Sequence, residues 1–136
     1  MPTTRKIMLV DDDPAVRAAL SFSLELQGFA VEAFASGEEA LARADWRSAA
    51  CLVIEQRLAE GDGLALLSKL RSLGTLAPVV ILTTNPTRRL QREVREAGAS
   101  LVEKPLLTDS LIAALRALTE EGAPSAPQPA ARERAA

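Results

Sequence analysis

Four short apolar runs punctuate the chain, and each ends in a polar residue capable of chemistry. Ile7-Met8-Leu9-Val10 leads into Asp11-Asp12-Asp13, Leu52-Val53-Ile54 into Glu55, and Val79-Val80-Ile81-Leu82 into Thr83-Thr84. Leu101-Val102 leads, one residue later, into Lys104-Pro105. Runs this short and this apolar read as strands buried on both faces. The segments between them carry helical spacing. Asp13-Pro14 offers a cap followed by Pro at the first helical position. Val16, Leu20, Leu24 and Leu26 then approximate one helical face up to Gly28, with Ala15 also assigned to the core. Phe29 to Phe34 alternates, with Phe29, Val31 and Ala33 apolar, and predicts a short strand with one more exposed face.

Ser36-Gly37-Glu38-Glu39 looks like a cap with acids in the first turn, opening a helix through about Arg47 in which Trp46 packs. Gly61-Asp62-Gly63 marks a turn before a helix with Leu64, Leu66, Leu67 and Leu70 on one face. Pro86-Thr87 starts a helix to about Ala97, with Leu90, Val94 and Ala97 inward, and Thr108-Asp109 begins a last one carrying Leu111, Leu115 and Leu118. Five strands alternating with five helices predict an α/β, doubly wound, flavodoxin-like parallel sheet. In such a sheet ligands bind outside the carboxyl ends of the strands. The polar residues that end the runs would therefore meet at one crevice.

Composition narrows the function. At 136 residues there is room for one core, placed at residues 1–120. Residues 121–136, rich in Ala and Pro, lack an apolar period and read as a disordered tail, with no room for a helix-turn-helix. A net charge of −2 and a pI near 5.2 argue against a nucleic-acid binder that relies on bulk charge. No stretch approaches the roughly 20 apolar residues of a membrane span, and no apolar signal core precedes the first strand. The single cysteine, Cys51, opens an apolar run, which fits a buried free thiol in a reducing cytoplasm. The chain has no histidine, hence no phosphohistidine relay of its own.

From about Lys6 to Leu118 the sequence resembles the receiver domain of bacterial two-component response regulators, with a CheY-like fold and nearest in likeness to FixJ-like receivers. The resemblance rests on Val10-Asp11-Asp12, on Glu55 eight residues before Gly63, on Thr83, and on Lys104-Pro105. It implies strand order 2-1-3-4-5, the order for which a member of this family serves as a standard example. It further implies that the end of the third strand accepts a phosphoryl group from a partner kinase. Mg²⁺ would be held directly by Asp12, Glu55 and the Arg57 carbonyl, and by Asp11 through water. Thr83 and Lys104 would contact phosphoryl oxygens, Leu101 would stand at the switch position, and Pro105 is a candidate for a cis bond. Phosphoryl transfer rests on positioning and charge neutralisation, which hard oxygen ligands, an ammonium and a hydroxyl supply.

The acceptor position departs from the family, with Glu55 where Asp is usual. Glutamate reaches roughly 1.5 Å further, and in-line attack misplaced by about 1 Å can lose on the order of 10²-fold. The expectation is a pseudo-receiver: Glu55 is not phosphorylated in the usual way and acts as a partial phosphomimetic, with one charge where a phosphoryl group brings about two. Ala59 replaces a usual proline, Thr84 is bulky enough to narrow access, and Leu101 replaces a switch aromatic. The residues also admit plainer roles: strand-end carboxylates at Asp11 and Asp12, a structural ion pair between Lys104 and Glu55, and a β-branched strand residue at Thr83. Arg88, Arg89, Arg92 and Arg95, interleaved with Glu93 and Glu96, read first as a solvated face, and otherwise as a surface for partners.

The function expected is a single-domain response regulator that is not an enzyme and acts by protein binding. Its partners would be a histidine kinase or phosphotransfer protein, or a second copy through helix 4, strand 5 and helix 5 or through helix 1. Nucleic acid and membrane are not expected partners. The alternative is an ordinary phosphoacceptor receiver with Glu55 a tolerated or introduced substitution. A Mg²⁺-dependent hydrolase using an N-terminal Asp nucleophile would need Asp-x-Asp followed by Gly and Thr, but Pro14-Ala15 follows here.

Overall fold

The computed structural model describes residues 5–43, 48–59, 61–104 and 108–119. Its order is β1 (Lys6–Val10), α1 (Pro14–Leu26), β2 (Ala30–Phe34), α2 (Gly37–Arg43), β3 (Cys51–Glu55), α3 (Gly63–Ser72), β4 (Val79–Thr83), α4 (Arg88–Glu96), β5 (Ser100–Glu103) and α5 (Thr108–Thr119). The five strands form one parallel sheet in the order β2-β1-β3-β4-β5. Between β3 and α3, Arg57–Leu58 and Gly61–Asp62 pair as a short antiparallel ribbon. The expected fold class and strand order are present.

Every residue of β3 and of β4 is buried, as central parallel strands require. Alternate side chains of the sheet feed two cores. Met8, Val10, Leu52, Ile54 and Ile81 pack with Leu66, Leu67, Leu70, Leu90 and Val94 of α3 and α4. On the opposite face Ile7, Leu9, Val53, Val80 and Leu82 pack with Leu20, Leu24, Leu111 and Leu115 of α1 and α5.

Several boundaries are explained by local chemistry. Asp13 caps α1 by accepting from the Ala15 and Val16 amides, with Pro14 at the first turn, as its sequence implies. Gly28 ends that helix at φ +97°, a conformation that favours glycine. The fourth helix begins later than Pro86: Thr87 is its cap, extended at φ −60° and ψ 160°, and its hydroxyl accepts from the Leu90 amide.

Three apolar positions read as facing inward are exposed: Ala15, Leu26 and Ala97, the last serving as the C-cap of α4. Leu20 and Leu24 already fill the buried stripe of α1, so Leu26, two residues past Leu24, falls on the outer side. In β2, an edge strand, Phe34 is the buried residue and its neighbour Ala33 points out. The second helix is described only to Arg43, so its expected extension to Arg47, with Trp46, lies outside the described residues, as do Pro105 and the segment 120–136.

Candidate functional site

Parallel register brings the run-ending residues level with one another. Val10 is opposite Ile54, which sets Asp11 beside Glu55 at the carboxyl edge of the sheet. Thr83 is opposite Glu103, so Lys104 follows immediately at the same edge, and its amide donates to the Thr83 carbonyl over 2.7 Å. From there the Lys104 side chain crosses β4 to reach β3 and β1. Its ammonium pairs with Asp11 Oδ2 at 3.1 Å and donates a hydrogen bond to Glu55 Oε1.

The two acids are deeply placed. Side-chain exposure is 1% for Asp11, 8% for Glu55 and 12% for Lys104. Their remaining oxygens are also engaged. Asp11 Oδ1 accepts from the Asp13 amide at 3.0 Å, and Glu55 Oε2 accepts from the Arg57 amide at 3.0 Å. Burial acts against the Lys104 charge, but the Glu55 hydrogen bond and the Asp11 charge outweigh it. The Lys104 pKa is accordingly raised above its ordinary value.

Thr83 is buried, and its hydroxyl oxygen accepts from the Asn85 amide at 3.2 Å, so the side chain is tied to the loop that leads into α4. Thr84 is exposed beside it, and Leu101 is half-buried on β5. Asp12 is exposed, and no described residue pairs with its carboxylate. Carboxylate and carbonyl oxygens at Asp12, Glu55 and Arg57 are the donor types that a hard divalent cation takes, so the residues fit Mg²⁺ in kind. Among the described residues no three acidic or thiol side chains converge as a metal-binding cluster.

Two contributors, Arg17 and Gln56, were not singled out in the sequence, and a third, Gly63, was read only through its spacing from Glu55. Arg17 reaches back from α1 to donate to the Asp11 carbonyl at 2.8 Å, pinning the strand end. Gln56 accepts from the Leu64 amide with its side chain and from the Gly63 amide with its backbone, which docks the start of α3 against the end of β3. Gly63 is where that docking is tightest: a Cβ there would stand 2.7 Å from the Glu55 carbonyl oxygen. The eight-residue spacing from Glu55 to Gly63 was visible, and this contact is the physical reason for a glycine at its end.

Among solved structures, the chemotaxis protein CheY4 of Vibrio cholerae superposes with a TM-score of 0.79 at 25% identity, covering 85% of this chain and 99% of that one. A two-component response regulator from Clostridium difficile gives 0.78 at 26% identity, covering 85% of this chain and 95% of that one. Among curated proteins, the C4-dicarboxylate transport transcriptional regulatory protein DctD of Rhizobium meliloti is 32% identical over 122 residues, 89% of this chain and 26% of that protein. The transcriptional regulatory protein FixJ of Bradyrhizobium diazoefficiens is 31% identical over 127 residues, 93% of this chain and 62% of that protein. The chain thus spans less than two thirds of either curated relative. The family model for the response regulator receiver domain matches residues 7–116. With the strand order, the acid pair and the lysine at one sheet edge, that match means that this chain belongs to the response regulator receiver family, a family of two-component signalling domains.

Proposed function

We propose that this receiver works by binding other proteins and does not accept phosphate at Glu55 in the usual way. The observation that carries the reading is the engagement of Glu55. One of its oxygens is held by the Lys104 ammonium and the other by the Arg57 amide. Charge-assisted bonds to both oxygens draw charge from the carboxylate and fix its orientation, and in-line attack tolerates little misplacement of the longer side chain. The same contacts resemble in part what a phosphoryl group would make: a negative charge against Lys104 near the end of β3. Glu55 thereby acts as a partial, permanent substitute for the modified state.

Receiver domains typically signal and do not catalyse turnover, and they generally bind Mg²⁺ at the phosphorylation site. In this chain the ion would be held by Asp12, Glu55 and the Arg57 carbonyl, with Asp11 acting through water. When bound it supplies positive charge against phosphoryl oxygens. Asp12 offers the least encumbered carboxylate for that purpose, whereas Asp11 and Glu55 are already neutralised in part by Lys104. Response regulators interact with histidine kinases and phosphotransfer proteins, and such a protein is the partner class proposed here. Thr83 and Lys104 are the proposed phosphoryl-contacting residues and Leu101 the switch position, with a leucine in place of a rotating aromatic ring.

Intact mass after incubation with Mg²⁺ and acetyl phosphate tests the mechanism. The native chain is expected to gain nothing and Glu55→Asp to gain one phosphoryl group. An adduct on the native chain mapped to Glu55 would overturn the proposal and favour the ordinary phosphoacceptor reading.

A further inference from the structure

The first helix buries one apolar face and leaves a second one in water. Leu20 and Leu24 are buried against the sheet, and Val16 packs against the same core. On the far side Ala15, Ala19, Phe22 and Leu26 are all exposed, Phe22 by 64% and Leu26 by 68%. Their spacing of four, three and four residues keeps them on one line along the helix, the repeat of a coiled-coil seam. Glu25 is the only charged residue among the exposed positions of α1, and it flanks that line. Single apolar residues on a surface need no explanation, but four in register on one helix do.

We propose that this stripe pairs with itself: two copies of the chain associate through α1, antiparallel about a two-fold axis. The order of sizes along the stripe selects that occupant. Its first half is small, Ala15 and Ala19, and its second half is large, Phe22 and Leu26. Antiparallel pairing sets Leu26 against Ala15 of the second copy and Phe22 against Ala19 of the second copy. Each of the four layers then joins one large side chain to one small one. Parallel pairing would stack Phe22 on Phe22 and leave alanine facing alanine, which crowds one layer and opens gaps in others. A two-fold contact must be self-complementary, and this sequence of sizes is. The charges agree, since Glu25 would lie across from Ala18 of the second copy, and the two helix dipoles run in opposite directions. Four layers make a short seam, at the weak end of specific contacts, so the pair separates at low micromolar concentration. The inference goes beyond the reading of Glu55 and does not depend on it.

Sedimentation equilibrium of the full chain, from about 10 μM to about 1 mM, tests the pairing. The weight-average mass is expected to rise with concentration from the chain's 14.5 kDa toward twice that value. Phe22→Glu and Ala19→Lys should each weaken association by about tenfold or more, because each puts a charge into an apolar layer. Mixing the two variants should restore it. Antiparallel pairing then sets the new lysine of one copy against the new glutamate of the other, while the reciprocal layer of Phe22 on Ala19 stays native. Leu76→Ser, which removes a leucine 89% exposed elsewhere on the surface, should leave association unchanged. Circular dichroism ensures that the variants are compared at equal helix content.

A chain that stays at monomer mass throughout would overturn the proposal. So would association indifferent to Phe22→Glu, an equal loss with Leu76→Ser, or a mixture of variants that associates no better than its components. A phosphoryl adduct at Glu55 in the mass experiment would count against the mechanism proposed for that site and leave these outcomes unaffected, so the two readings fail separately.

Discussion

Lys104 is the residue on which the acid edge of the sheet depends. Removing one partner of a buried ion pair leaves the other charge stranded, at a cost of about 3–5 kcal/mol. Lys104→Met should lower stability by that order in a denaturant titration, because it strands two carboxylates. The raised Lys104 pKa gives the effect a pH dependence of definite sign. The folded state holds the proton more tightly than the unfolded chain does. The stabilisation is therefore complete below the unfolded value, about 10.4, and is lost as pH rises through the folded one. Thermal melts across the alkaline range should bring native chain and Lys104→Met together as pH climbs. A gap that widened would contradict the pairing. Cys51 makes the opposite point about burial: desolvation pushes its thiol up to about 12, against a smaller lowering by the Leu52 carbonyl contact. A thiol-specific disulfide reagent at neutral pH should label it only after unfolding. The chemistry at this scale was legible wherever a run of strand residues ended in a polar one. Arg17 was not, because its bond to the Asp11 carbonyl depends on how the first turn of α1 folds back over β1.

At the level of elements, the join between β3 and α3 leaves no room for a side chain at Gly63. Gly63→Ala would place a methyl group 2.7 Å from the Glu55 carbonyl oxygen, 3.0 Å from Ile54 Cγ2 and 3.1 Å from Gln56 Cα. Two of those three neighbours are backbone atoms, so the strand end itself would have to shift. The expected cost is about 1–3 kcal/mol, with displaced amide resonances at Glu55 and Gln56 in an NMR spectrum. A variant as stable as the native chain would mean that the loop yields freely. Caps and stops were readable because Asp13, Pro14 and Gly28 act through their own local geometry. Helical spacing read the faces less well. Leu26 satisfies apolarity but not phase, and only the packed neighbours of Leu24 decide which side of α1 is inside.

Across the whole molecule, a single sheet serves two cores, and α1 divides sharply between inside and outside. Leu24→Ala should destabilise by about 3–5 kcal/mol, the range for a fully buried leucine whose site cannot collapse. Phe22→Ser on the same helix, 64% exposed, should change stability by less than about 0.5 kcal/mol. Chemical denaturation of both variants checks the contrast, and similar losses would mean that Phe22 has a partner. Two-sided burial was legible in β3 and β4 because uninterrupted apolar runs suit only covered strands. The pairing of β1 with β3 was not contained in those runs. It came from family resemblance, since neighbours in a parallel sheet are set by crossovers and not by spacing along the chain.

The cation of the acid site arrives last. Lys104 lies 93 residues after Asp11 and 49 after Glu55. Domains emerge from the ribosome amino end first, so β1 and β3 are exposed to one another well before β5 is made. During that interval Asp11 and Glu55 would sit level with no ammonium between them. Two carboxylates with no cation between them repel, weakly while water and salt screen them and more strongly once the strand ends are buried. The offsetting ammonium stands just beyond β5, so a nascent chain halted before residue 104 lacks the Lys104 contacts that join Asp11 to Glu55.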